Sequence, residues 1–244
     1  MTQKKKISVQ TEEPKRSLSK KELITEIVKK RSKEKFLSEN QRKYYELLKT
    51  NQITICSGPA GTGKSHVSLK AAIDLLLDSN SPYEKLVIVR PAVESSDSKL
   101  GSLPGDVREK MDPYVYASFY LLQKIIGREA TKRLEELGVI EIMSLSFIRG
   151  ISVDNSILVF EESQNATPSE MKTLLTRIGF SSKFFISGDI EQSDKFKQKE
   201  KSGLYDAMHR MTEMNDVGIF TFKPEDIVRN PIITEIIKRY NTEY

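Results

Sequence analysis

The sequence predicts an α/β fold, a mostly parallel sheet flanked by helices, and three observations carry that expectation. First, six short β-branched runs are bounded by turn residues: "QITIC", "KLVIVR", "VIEIMS", "SILVFEE", "KFFISGD" and "VGIFTF". Several are continuously apolar, the pattern of strands buried on both faces of a parallel sheet. Second, helical segments separate most of these runs, as βαβ units require. Third, the junction "SGPAGTGKSH" at 57–66 is too rich in glycine and proline to be helix interior or strand.

The elements follow in chain order. Residues 1–17 are polar and charged and read as disordered. "LSKKELITEIVKKRSK" reads as a helix, with Ser19 and Glu22 at capping-box spacing and an apolar stripe of Leu23, Ile24, Ile27 and Val28. A second helix begins at "SENQRKYYELLK", where Ser38 and Gln41 share the same spacing. Further helices are expected at "SHVSLKAAIDLLLD", from Pro113 to about Leu137, at "PSEMKTLLTRI", at "SGLYDAMHRMTEM" and at "PIITEIIKRY". These divide the chain into a basic extension, 1–36, partly disordered and then helical, and an α/β domain, 37–244.

Composition narrows the function classes. The 244 residues are 38% hydrophobic and 30% charged, enough for the core of one α/β domain. Mean hydropathy is −0.43, and no apolar run approaches the roughly 18 residues of a membrane helix. "MTQKKKISVQ" has no apolar stretch behind its charges, so no secretory signal is expected. A lone cysteine, Cys56, excludes an intramolecular disulfide. A cytoplasmic protein without a membrane partner is the expectation. Residues 1–35 carry 12 Lys or Arg against 5 Asp or Glu, a net +7, while the whole chain is +5. The basic character therefore lies in the extension, including Lys4, Lys5, Lys6 and "KKRSK" at 29–33. It is read either as a nucleic-acid arm or as a solvated tail.

"GPAGTGKS" matches G-x-x-x-x-G-K-[ST] between a strand and a helix, the context that motif requires. Gly58, Pro59, Ala60, Gly61, Thr62, Gly63, Lys64 and Ser65, with His66, form the expected nucleotide cradle. Glycines let main-chain N–H groups converge on phosphate oxygens at a helix N-terminus. Lys64 would reach the β- and γ-phosphates, and Ser65 would ligate Mg²⁺. "ILVFEESQ" delivers Glu161 and Glu162 to the end of what is expected to be a neighbouring strand. Glu161 is the metal-side carboxylate and Glu162 the residue that orients or deprotonates water; the other reading is an exposed acidic pair. "FFISGDIEQSD" ends a further strand in Gly188, Asp189 and Gln192, either a γ-phosphate sensor or a simple Gly-Asp turn.

With "VRPAVESSDSKLGSLPGD", "EKMDPYV", "GVIEIMSLSFIRG", "ILVFEESQNATPSEMKTLLTRIGFSSKFFISGD" and "DIVRNP", the chain resembles the PhoH-like, phosphate-starvation-inducible P-loop ATPases from about Gln41 to Ile233. That family is similar in turn to superfamily-one helicase cores, which also carry a Gly-Asp-x-x-Gln element. The resemblance implies a RecA-like core, ATP hydrolysis with Mg²⁺, action on RNA or single-stranded nucleic acid, and a homo-oligomer, with a hexameric ring as the expected form. It gives Gln41 a role in reading adenine, beside the capping box already noted. It gives Arg90 and Arg149 contacts to nucleic acid or phosphate, against an ion pair at a strand end and a surface role. Arg229 becomes the arginine that steadies transition-state charge, against a helix-start ion pair. Two departures stand out: Glu161-Glu162 replaces the family's Asp-Glu, and Ser163 replaces its alanine. The longer Glu161 suggests slow hydrolysis or a water-bridged metal. No nuclease domain of the kind some relatives carry is expected within 244 residues. A slow nucleotide-dependent switch is the principal alternative. A small-molecule kinase is disfavoured, because only Arg108 stands in the 91–112 segment where an arginine-rich lid would lie.

Overall fold

The computed structural model describes residues 19–29, 35–91, 107–193 and 201–228, together with 232 and 239. Six parallel strands form one sheet: β1 (Ile53–Ser57), β2 (Lys85–Arg90), β3 (Ile140–Ser144), β4 (Ser156–Phe160), β5 (Lys183–Gly188) and β6 (Val217–Thr221). Their order is β3-β2-β4-β5-β1-β6. All six expected runs are strands. The helices are α1 (Lys20–Ile27), α2 (Glu39–Thr50), α3 (Lys64–Leu77), α4 (Val107–Ile126), α5 (Arg128–Glu136), α6 (Pro168–Leu175) and α7 (Gly203–Arg210).

Two apolar layers follow from strand pleating, since successive side chains point to opposite faces. Leu86, Ile88, Ile157, Val159 and Phe185 pack with Tyr44, Leu48, Leu69, Leu76, Leu122 and Leu134 of α2–α5. Ile55, Val87, Val89, Leu158, Phe160, Phe184 and Ile186 pack with Met171, Leu174, Leu204 and Ala207 of α6 and α7. Because both layers are apolar, the central strands lack an alternating pattern; β4 and β5 are buried throughout. Ile24 and Val28 join the first layer, so α1 packs on the body although it belongs to the basic extension. Cys56 is buried in the same layer, and desolvation pushes its thiol up to about 12.

Local signals set several element ends. Ser19 accepts from the Glu22 N–H while Glu22 accepts from the Ser19 N–H, closing the expected capping box. Thr167 and Glu170 do the same at α6. The helical stretch expected from Pro113 starts earlier, at Val107, and is two helices rather than one. Gly127, at φ +89°, leaves helical conformation and separates α4 from α5.

One expectation needs correction. The carboxylate strand β4 does not neighbour the phosphate-loop strand β1; β5 lies between them. Strand adjacency is a long-range property, and consecutive parallel strands need not pair. Residues 1–18, 30–34, 92–106, 194–200 and 229–231 lie outside the described residues, with most of 233–244. Arg229, Lys4, Lys5, Lys6, most of "RPAVESSDSKLGSLPGD" and most of the final helix therefore lie there.

The layered core gives a contrast measurable by urea denaturation. Phe160 is fully buried while Phe180 is 89% exposed. Phe160→Ala is expected to lower stability by about 4 kcal/mol, and Phe180→Ala by less than about 0.5 kcal/mol.

Candidate functional site

A parallel sheet delivers every strand's C-terminal end to one edge, and there the separate motifs meet. β1 runs into the Gly-rich loop, which passes into α3 with Gly63 as its N-cap in left-handed conformation. Gly63 serves a second purpose. A Cβ there would stand 2.6 Å from the Gln41 amide nitrogen, so only glycine leaves room for that side chain. Gln41, 5% exposed, donates through Nε2 to the Thr62 carbonyl at 2.9 Å and accepts from the Leu37 N–H at 2.8 Å. Ser38 does accept from the Gln41 N–H, but the return bond of a capping box goes to Leu37 instead of Ser38. Gln41 thereby ties α2 to the loop. Lys64 donates to the carbonyls of Gly58 (2.5 Å) and Pro59 (2.9 Å), bending its ammonium over the loop. The Thr62 hydroxyl donates to the Pro59 carbonyl at 3.0 Å. His66 follows on the first turn of α3, half-buried.

Glu161 follows the buried β4 and is itself 1% exposed. Its Oε2 accepts from Arg90 at 2.9 and 3.3 Å and from the Ser118 hydroxyl of α4 at 2.7 Å. Burial opposes ionisation, but the Arg90 charge, the nearby Ser65 hydroxyl and the hydrogen bonds from Ser118 and Arg90 outweigh it and hold the carboxyl below its ordinary value. The other oxygen, Oε1, has no hydrogen-bond partner. A buried carboxylate oxygen left open beside the Ser65 hydroxyl fits a divalent cation that takes the rest of its shell from phosphate and water. Among the described residues no group of three or more His, Cys, Asp or Glu could hold a metal ion. Arg90 thus takes the ion-pair role, joining the ends of paired strands β2 and β4. Arg149 is exposed on the surface.

Glu162 is exposed and holds left-handed backbone at φ 54°, ψ 33°, a conformation costly for a non-glycine residue and concentrated at functional sites. With Glu161 buried and Glu162 exposed, the two carboxylates are not a plain exposed pair. Its Oε2 accepts from Gln164 Nε2 at 2.8 Å. The same nitrogen reaches the Gln192 carbonyl at 3.3 Å, and Gln164 Oε1 accepts from the Asp189 N–H at 3.1 Å. Gln164, 2% exposed, thereby links the β4 turn to the Gly188–Gln192 segment through its own amide. It needs Gly188, since a side chain there would collide with the Gln164 oxygen and Leu204. Asp189 is 7% exposed; burial raises its carboxyl above the usual value, against the pull of a Glu191 N–H bond and the Lys64 charge. Sequence reading passed over Gln164 and Ser118. Gln164 carried a signal, a polar residue three after Glu161, whereas Ser118 had none.

The segment after β6 also reaches the loop. Val228 N–H donates to the Gly61 carbonyl at 3.1 Å and Phe222 N–H to the Ser57 carbonyl at 2.9 Å. Asn40 donates to Asp226 at 2.7 Å, fastening the start of α2 to the same strand's exit. Among the described residues no helix is long and apolar enough to cross a membrane.

The family profile described as PhoH-like protein matches residues 35–241. A PhoH-like protein of Bacillus subtilis is 38% identical over 203 residues, covering 83% of this chain and 62% of the relative. One from Synechocystis is 37% identical over 200 residues, covering 82% and 60%. Protein PhoH of Escherichia coli K12 is 32% identical over 206 residues, covering 84% and 57%. The chain thus spans about 60% of the length of the curated relatives it matches. The solved large terminase of a thermophilic bacteriophage superposes with a TM-score of 0.49 at 11% identity, over 86% of this chain and 51% of that one.

The Arg90–Glu161 pair yields a signed pH test. Removing one partner strands a buried charge, so Arg90→Ala should cost about 3 kcal/mol near neutrality. In the intact protein the contribution of Glu161 is complete above its ordinary 4.5 and is lost as pH falls through its lower folded value. In Arg90→Ala only the serines still oppose burial, so the carboxyl rises relative to the intact protein and protonation relieves part of the penalty. The stability gap between the two proteins, from urea midpoints at several pH values, should be widest above pH 4.5 and narrow on acidification.

Proposed function

The chain belongs to the PhoH-like family, and from that premise we propose that it is a P-loop ATPase, hydrolysing ATP with Mg²⁺ and coupling turnover to RNA or single-stranded nucleic acid as a homo-oligomer. The observation that supports this best is the convergence at one sheet edge of a Gly-rich loop with its lysine, a buried carboxylate with one open oxygen beside Ser65, and a second carboxylate on a strained turn.

In this mechanism the main-chain N–H groups of Gly58 to Ser65 and the start of α3 receive the phosphate charge. Lys64 leaves the Gly58 and Pro59 carbonyls to reach the β- and γ-phosphates. Ser65 and Glu161 would hold Mg²⁺, which supplies charge neutralisation on those oxygens. Glu162 orients the attacking water and takes its proton. Gln164 fixes the Glu162 carboxylate and ties it to the Asp189–Gln192 segment, so a change at the γ-position is felt on both strands. Gln41 braces the loop through Thr62 and is assigned to the adenine base, which it would read with the amide now bonded to Leu37 and Thr62. Arg229 follows Val228, whose N–H meets Gly61, and is assigned to the transition-state charge of a neighbouring subunit's nucleotide. One core leaves the γ-phosphate facing outward, so a ring of subunits, six as the expected number, supplies the missing wall. A cytoplasmic setting suits these partners.

The Glu161-for-Asp departure and its engagement by Arg90 favour one second reading, a slow nucleotide switch. ATP turnover measured with and without RNA or single-stranded DNA separates the two, because a flat response favours the switch. Lys64→Ala should abolish ATP retention in equilibrium dialysis; undiminished retention would refute the reading outright. Glu162→Gln should keep ATP binding and lose about 10²–10⁴-fold in kcat. Gln164→Ala should lower kcat about ten-fold or more with little change in KM, since it removes a positioning bond and no substrate contact. The mass in solution with and without ATP tests the oligomer, and a monomer hydrolysing at an undiminished rate at every concentration would refute the ring.

A further inference from the structure

Helix α4 carries a row of side chains that neither the core nor the phosphate site uses. Tyr116, Tyr120 and Lys124 recur every four residues and therefore stand on one side of the helix. Tyr116 is 70% exposed and Tyr120 47%. Their rings stack with centroids 6.3 Å apart and planes within 16° of parallel. The Lys124 ammonium sits over the Tyr120 ring at 4.6 Å. From Tyr116 to Ile126 the helix has no carboxylate, and the exposed Arg128 just beyond Gly127 extends its cationic end. The exposed members between 116 and 126 are these two tyrosines, Ala117 and Lys124, so the row is aromatic and cationic with no branched aliphatic side chain. On the other side of the same turn, the fully buried Ser118 donates to Glu161.

We propose that this row is a stacking platform for the bases of single-stranded nucleic acid, with Lys124 and Arg128 toward its phosphates. The proposal rests on the nucleic-acid coupling argued above and gives it a location. Exposed, pre-stacked phenol rings offer flat faces to any base, while nearby cations meet the backbone, the combination that binds single strands without sequence preference. A second copy of this chain is the less fitting occupant, because subunit contacts are depleted in lysine and alanine, and Lys124 and Ala117 are two of the row's four exposed members. The platform shares α4 with Ser118, which donates to Glu161, so strand binding has a short path to the metal-side carboxylate.

The test uses the full chain, a fluorescein-labelled oligouridylate and an abasic strand of equal phosphate number, with anisotropy read across a salt series. Tyr116→Ala and Tyr120→Ala should each weaken oligouridylate binding about ten-fold, while Tyr120→Phe binds normally. The abasic strand should bind the intact protein as weakly as oligouridylate binds the double alanine variant. Lys124→Ala should instead lower the salt slope by about one. Unchanged ATP retention by the double variant establishes that it is folded. Wild-type affinity in the double variant would overturn the platform and leave the ATPase reading and its nucleic-acid coupling standing. No binding of either strand by the intact protein, with ATP retained, would remove the coupling itself. A double variant that loses self-association rather than oligouridylate affinity would make the row a subunit contact and overturn the proposal.

Discussion

All six strands run in one direction, and that single constraint organises the molecule. Parallel neighbours need crossovers, crossovers place helices on both faces, and helices on both faces require strands that are apolar throughout. The same constraint collects every strand's exit at one edge. The loop after β1, Arg90 at the end of β2, Glu161 after β4 and Asp189 after β5 are distant in sequence. They are brought together because they leave the sheet on the same side.

At that edge the strongest local tension is the charge of Glu161. A buried carboxylate persists as an anion only with partners, and Arg90 and Ser118 share a single oxygen of it. The other oxygen stays open. Partnering is thus sufficient to hold the charge and insufficient to use it up, the condition a metal-side ligand has to meet. The extra methylene of glutamate is accommodated by an arginine from the paired strand β2 and a serine from α4, so the residue is anchored by a strand and by a helix.

Much of the architecture was legible locally. The β-branched runs located all six strands, since a buried strand needs apolar side chains wherever it lies. Ser19 with Glu22 marked a helix start through bonds that span three residues. The loop's strand-before, helix-after setting was written in its glycines. The reach of Gln164, the role of Ser118 and the partner of Arg90 were not legible, because each acts across 25 or more residues: Gln164 on Asp189, Ser118 and Arg90 on Glu161. The break at Gly127 was missed because the apolar pattern continues through it, and a glycine within a periodic stretch does not by itself reveal its φ.

By itself, then, the sequence determined the class of fold and the chemistry of its phosphate loop, as both depend on side-chain periodicity and on contacts between near neighbours. Tertiary structure decided that β5 stands between β1 and β4, that Gln41 returns its bond to Leu37 and braces Thr62, and that one glutamine joins Glu162 to Asp189. Those outcomes turn on which strands lie side by side. Pairing order is chosen by the whole sheet minimising exposed apolar area, and no short stretch of chain carries it.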